Sequence, residues 1–251
     1  MAEMQRPKLQ FPQCVQRNRN APPPEAYAAP MVKVTVGKDT EKKSFFVYKG
    51  LLTYHSDYFR AALKNCWQER EDNSVDLPDE HPDVFHAFHY WLFSKRLNYA
   101  STPTEDELKK NGDIPLSYEL LFKTYAFADR RGIAELANAA LDNVFAKIFQ
   151  MWVWLAFNIE QAYRDTPVDA ALRRFLVDFG LHFFGFSKLN SRADTYPRDF
   201  LFDLITSAVE QRIIIGGVPL SREAYATREK HTFCNKYHVH KHSAEAPKKV
   251  S

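Results

Sequence analysis

Glycine is scarce in this chain, with eight residues among 251. No stretch has the form G-x-x-x-x-G-K-S/T, G-x-G-x-x-G or G-x-S-x-G, and H-E-x-x-H is missing as well. Those spacings bring backbone N–H groups, a serine elbow or a pair of imidazoles to a reacting group, and glycine lets the backbone come close. Their absence excludes the matching phosphate-loop, dinucleotide, serine-elbow and zinc-protease classes. An enzyme of unrecognised kind stays open, because function belongs to a site rather than to a fold. Cysteine is sparse too: Cys14, Cys66 and Cys234, an odd number set far apart. This excludes a disulfide framework and fits a reducing compartment. Long apolar runs are lacking. The densest, "FQMWVWLAF" at 149–157, is about half of the roughly 20 residues a membrane span needs. The opening "MAEMQRPKLQFPQC" holds no apolar segment of a secretory signal. Neither sign of charge dominates, and a net +3 is too small to imply a nucleic-acid partner. The expectation is a soluble intracellular protein, cytoplasmic or nuclear, without a membrane partner.

Aromatic residues are what the chain has in quantity: 20 Phe, 12 Tyr and 4 Trp. Such rings fill interiors and anchor interfaces. Residues 1–30 carry six prolines, including Pro22, Pro23 and Pro24. Proline removes donors and biases its neighbours to extended forms, so this segment is expected as a disordered leader.

From Met31 the pattern changes. "VKVTV" (32–36) alternates as a half-buried strand does, and "SFFVY" (44–48) reads as its antiparallel partner. A short helix is expected from Gly50 to Tyr54, then one capped by Ser56, with Phe59, Ala62 and Leu63 on its buried face. "SVDL" (74–77) is a third strand, and Pro82 opens a helix striped by Val84, Phe85, Phe88, Trp91 and Leu92. Residues 99–116 read as an exposed insertion with a short helix at "TEDELKK". Two helices separated by Gly132 form an α-hairpin, with Leu136, Ala140, Val144 and Ile148 on one face. Further helices are expected from Pro167 to about Phe183 and from Pro197 onward. The polar, basic residues after Gly217 read as a flexible tail.

Two histidine groups bear on metal chemistry. His86 and His89 are spaced i, i+3 on one helix, but no cysteine or carboxylate completes a set. They read as boundary histidines of an amphipathic helix. In "HTFCNKYHVHKH", Cys234, His238, His240 and His242 place four potential ligands within nine residues, with His231 nearby. Structural zinc draws its ligands from separated elements, and no second pair is evident. A zinc site on the tail and an exposed basic tail therefore stand as alternative readings. Arg228, Lys230, Lys236 and Lys241, interleaved with Phe233 and Tyr237, add a third: weak phosphate binding.

The order "VTVG", "FFVYKGLLTYHSDYFRAAL", "WQE", "VDLPDEHPDVFHAFHYWLF" resembles the BTB/POZ domain, in particular its fungal type. The matching residues include Phe46, Tyr48, Lys49, Leu51, Leu52, Ser56, Phe59, Leu77, Phe85 and Trp91. The resemblance implies an α+β fold, a small mixed sheet flanked by a cluster of α-helices and followed by extra α-helices. It implies this division: leader 1–30, BTB/POZ domain 31–148, helical C-terminal extension 149–215, flexible Cys/His-containing tail 216–251. It implies a protein-interaction module rather than an enzyme, with other proteins as partners. One role the family allows is an adaptor between a substrate and the cullin scaffold of a ubiquitin ligase, contacted through a hydrophobic-x-Glu element. Trp67 and Glu69 match that element. The alternative is a transcription- or chromatin-linked scaffold acting through oligomerisation or the Cys/His tail. Metazoan family members pair an acidic residue on the first strand with a basic residue at the position of Lys49. Here positions 32 and 33 are Val and Lys. Those dimers also exchange an N-terminal strand, which a proline-rich leader does not supply. Self-association without strand exchange is the expectation.

Overall fold

The computed structural model describes Cys14 and residues 21–64, 74–97, 114–183, 195–213 and 218–240. Strand β1 (Met31–Val36) lies in the middle of a three-stranded sheet. It pairs antiparallel with β2 (Lys43–Tyr48) and parallel with β3 (Ser74–Leu77). Val32, Val34, Val36 and Val47 face the core, fully buried. The hairpin register sets Val32 opposite Val47 and Lys33 opposite Phe46. The Lys49 N–H extends the ladder to the Pro30 carbonyl at 2.9 Å. Antiparallel pairs alternate, so Val32–Val47 and Val34–Phe45 exchange hydrogen bonds and the Phe46 carbonyl points outward from β2. The connection turns at Gly37, whose φ of +89° suits glycine.

Helices α2 (Lys49–His55) and α3 (Asp57–Lys64) follow. Ser56 caps α3: its Oγ accepts the Phe59 N–H at 3.2 Å and donates to the Arg131 carbonyl at 2.8 Å. Phe59 and Leu63 are buried, but Ala62, expected beside them, is exposed. The arc centred on residues 59 and 63 leaves position 62 about 100° from Leu63, outside a narrow buried stripe. Helix α4 (Pro82–Ser94) buries all five residues of its predicted stripe.

The α-hairpin is α5 (Tyr118–Arg130) and α6 (Ala134–Met151), hinged at Gly132 with φ +64°. The predicted face of α6 is wholly buried. The end of the expected exposed insertion is not exposed. Ile114 and Leu116 are buried, and the Lys147 ammonium donates to both their carbonyls, at 3.0 and 2.6 Å. The "TEDELKK" helix lies outside the described residues.

Three more helices continue the core: α7 (Ala156–Asp165), α8 (Ala171–Phe183) and α9 (Arg198–Glu210). Helix α8 begins four residues later than expected, because Pro167 to Ala170 make a turn closed by the Ala170 N–H. The buried Arg173 guanidinium ties that turn to the end of α7 through the carbonyls of Tyr163 and Thr166.

Both termini of the expected division need correction. Within the leader, Glu25–Ala28 form a short helix, α1, that packs on α2. Gly50 permits the approach: a Cβ there would stand 2.5 Å from the Ala26 Cα. At the other side, residues expected as a flexible tail form α10 (Arg222–Glu229) and α11 (Phe233–Tyr237). Tyr225, Phe233 and Tyr237 are buried. Their rings meet Phe179, Phe145 and Phe175 at centroid distances of 5.4, 4.7 and 5.6 Å. Three aromatic anchors outweigh a polar average composition, because each buries a large apolar area. No helix among the described residues is long and apolar enough to cross a membrane.

Candidate functional site

The outer face of the sheet and its neighbour α4 expose apolar side chains. Alternation along β1 and β2 sends Met31 and Phe46 away from the core, and Phe93 stands at the end of α4. Met31 is 47%, Phe46 58% and Phe93 47% exposed. Tyr48 lies edge-on to Phe93 at 6.4 Å. His89 packs on Phe93 and donates from Nε2 to the Phe46 carbonyl at 3.2 Å. Burial lowers the basicity of this imidazole, against a rise from that hydrogen bond. His86 and His89 are therefore not a ligand pair: His89 is committed to the strand edge. Lys49 opens α2 beside this face, half-buried. Trp67 and Glu69 lie outside the described residues.

His55 is itself buried and is held by two partners nearer the surface. Its Nδ1 meets Glu135 Oε2 at 3.0 Å and its Nε2 meets Lys95 Nζ at 2.5 Å. Lys95 sits over the Trp91 ring, and burial pulls its ammonium down to about 8. An open cleft of about 480 Å³ is lined by Tyr58, Asp76, Asp79, Glu80, Arg130 and Arg131, among others. Both of its arginines are paired with one carboxylate: Glu80 bonds Arg130 at 3.1 Å and Arg131 at 2.9 Å.

The second constellation is built by α6, α11 and the segment after α11. Cys234 lies in α11, and the chain leaves that helix extended at His238 (φ −83°, ψ 139°). Extended backbone has period two, so His238 and His240 fall on one side and Val239 on the other. Val239 is indeed exposed. Asn138 of α6 clamps this residue reciprocally: its amide donates to the Val239 carbonyl at 2.8 Å and accepts the Val239 N–H at 2.9 Å. One turn on, Asp142 Oδ1 accepts from His238 Nε2 at 2.9 Å. The other ring nitrogen, Nδ1, is buried and makes no hydrogen bond.

Cys14 joins the same cluster from 220 residues away. Its Sγ lies 3.5 Å from Cys234 Sγ and 3.7 Å from His240 Nε2, and Cys234 Sγ lies 3.2 Å from His240 Nε2. One ligand atom from each of Cys14, Cys234, His238 and His240 fits within 4.8 Å of all the others. A sulfur separation of 3.5 Å is no disulfide, which needs about 2.05 Å. Burial, with Cys14 adding to it, pushes the Cys234 thiol up to about 11. For His238, burial works against the imidazolium, but Asp142 and then Cys14 more than offset it and the basicity rises. Burial and the neighbouring His238 lower that of His240. Three of the four tail residues named from sequence are thus together. His231 is exposed and precedes α11, outside this cluster, and His242 lies outside the described residues. Cys14 was missed because an isolated cysteine in a proline-rich segment carries no spacing to a partner.

Of the basic residues read from sequence, Arg228 and Lys236 have other work, Lys230 is exposed, and Lys241 lies outside the described residues. Glu229 is fully buried and meets Lys236 at 3.0 Å and Arg228 at 3.6 Å. Asp178 of α8 takes Arg228 at 3.2 Å and Lys236 at 3.9 Å. With Phe233 and Tyr237 buried, the interleaved aromatics are not offered to stack on bases.

No curated protein shows significant similarity to the chain. Residues 31–112 match the family model described as the BTB/POZ domain. The small mixed sheet and the helices around and after it are the α+β fold expected of it. By sheet, helix order and that match, residues 31–112 form a BTB/POZ domain, a kind of domain that mediates binding to other proteins and self-association.

Proposed function

We propose that this protein is an interaction module of the BTB type that serves as an adaptor on a cullin-based ubiquitin ligase, with Trp67 and Glu69 as its contact. The observation that carries the module reading is the BTB/POZ match over 31–112, on a domain that exposes Met31, Phe46 and Phe93 together. Apolar side chains clustered at a surface and rimmed by polar ones are the usual form of a protein-binding face. The adaptor reading rests on the Trp67-Gln68-Glu69 sequence, in which an aromatic anchor and an adjacent charge suit a docking contact. The fungal-type assignment belongs to the same reading. Self-association without strand exchange is supported by α1, which packs on α2 of its own chain through Gly50 and Ala26.

The test is capture of a cullin N-terminal region by the full chain. Wild type is expected to bind, with Trp67→Ala and Glu69→Lys each weakening it at least tenfold. Binding unaffected by both variants removes this contact, and no binding by wild type removes the adaptor role.

A further inference from the structure

We infer that Cys14, Cys234, His238 and His240 form a structural zinc site that ties the N-terminal segment to the C-terminal helices on the flank of α6. The donor chemistry is the first reason. Two thiols and two imidazoles make a borderline-soft S₂N₂ set, the tetrahedral combination that selects zinc.

Geometry is the second. With Zn–S near 2.3 Å and Zn–N near 2.05 Å, a tetrahedron has edges of about 3.8 Å between sulfurs and about 3.6 Å between sulfur and nitrogen. The corresponding separations here are 3.5 Å for Cys14–Cys234, and 3.7 and 3.2 Å from the sulfurs to His240 Nε2. These three edges are within about 0.4 Å of the tetrahedral values, and the His238 ligand atom lies within 4.8 Å of the other three. Ligands from one local C-x₃-H-x-H run and one remote cysteine also meet the requirement that the set come from separated elements.

The third reason is the shell behind the ligands. His238 gives its Nε2–H to Asp142 and keeps a buried Nδ1 without a hydrogen bond. That leaves Nδ1 as the ligating atom. A carboxylate behind a metal-bound imidazole fixes its tautomer and orientation. Asn138 holds the backbone between the two histidines. A hydrogen-bonded surface tail has no need of either device. On binding, the cation replaces two thiol protons, and two thiolates balance its charge.

The experiment is titration of the reduced full chain with zinc chloride, read by mass spectrometry under native conditions, and with cobalt(II), read by absorption. One zinc per chain is expected, together with a cobalt spectrum of a tetrahedral site bearing thiolate-to-metal charge transfer. Cys14→Ser should halve that charge-transfer intensity and cut affinity more than tenfold. Asp142→Asn should keep the stoichiometry and weaken binding about 10- to 100-fold. His242→Ala should change nothing. The inference is overturned by no zinc on the wild-type chain, by affinity unchanged in Cys14→Ser, or by loss of the metal in His242→Ala. A wild-type chain purified two hydrogens lighter, with Cys14 and Cys234 in one disulfide-linked peptide, overturns it as well. The wild-type measurements stand even if a variant fails to fold.

Discussion

Helix α4 and the pair α10–α11 both bury aromatic rings, but they are secured differently. In α4 the rings of Phe85 and Phe88 pack on other rings, with Phe88 5.3 Å from Phe127 and stacked on Phe59 at 6.1 Å, and cations meet this cluster over ring faces, Lys95 on Trp91 and Arg131 on Phe127. Around α10 and α11 the rings share space with Asp178, Glu229, Arg228 and Lys236. The first region is stabilised chiefly by apolar transfer and ring packing, so volume-conserving apolar changes there cost least. The second also requires every buried charge to keep its partner, because an orphaned one is costly. The first is therefore robust in kind, and the second is specified residue by residue.

The sharpest test of this contrast pairs two truncations. Phe88→Ala and Phe233→Ala each remove a fully buried ring, at a cost of about 3–5 kcal/mol. Phe88→Ala is expected to lower the stability of the whole chain in denaturant. Phe233→Ala should act locally, speeding amide exchange across residues 222–240 while the sheet and α4 keep their protection. Equal loss of protection everywhere in both variants would show that the two regions unfold as one unit. A somewhat smaller effect comes from charge. Lys236→Met leaves the Glu229 carboxylate buried with Arg228 as its nearer remaining cation, and is expected to cost about 3 kcal/mol. Lys236→Met combined with Glu229→Leu should recover most of that loss, since an apolar pair needs no partner. Failure of the double variant to recover would mean that packing, not charge, holds these helices. The smallest effect is one of pH. Burial pulls Lys147 down to about 8, while an unfolded lysine titrates near 10.4. Between those values the unfolded chain holds more protons than the folded one, so stability should rise with pH. The rise ends near pH 10, where buried tyrosines such as Tyr125, pushed up to about 12 by burial, act in the opposite sense. Lys95 acts in the same sense and the raised Cys234 thiol in the opposite one, so Lys147→Met should lower the slope between pH 8 and 10 in thermal unfolding without abolishing it, and an unchanged slope would exclude a contribution from this lysine.

The same contrast explains what could be read from residues alone. The strands, the Ser56 cap, the stripe on α4 and the Gly132 turn are local: each is written within one element by period, cap or φ preference. Helix α7 escaped notice because Leu155 at its start offers no side-chain cap, and the apolar run before it hides the period. The tail helices escaped because their polar composition masks three anchors whose partners sit on α6 and α8. Of the metal-ligating residues, those within one short run were visible, while Cys14 depends on a contact across 220 residues that no local pattern encodes. The Trp67–Glu69 contact, by comparison, is read from sequence resemblance alone.

The imidazole of His89 on the Phe46 carbonyl has a consequence for how partners meet this domain. That carbonyl lies on the side of β2 turned away from β1, the position a further strand would use to extend the sheet. A chain seeking to add itself there in backbone register must first evict His89 and leave a half-buried ring nitrogen to find another acceptor. The edge is thus guarded without a charge or a proline, and recognition at this face is steered from main-chain pairing toward the side chains of Met31, Phe46 and Phe93.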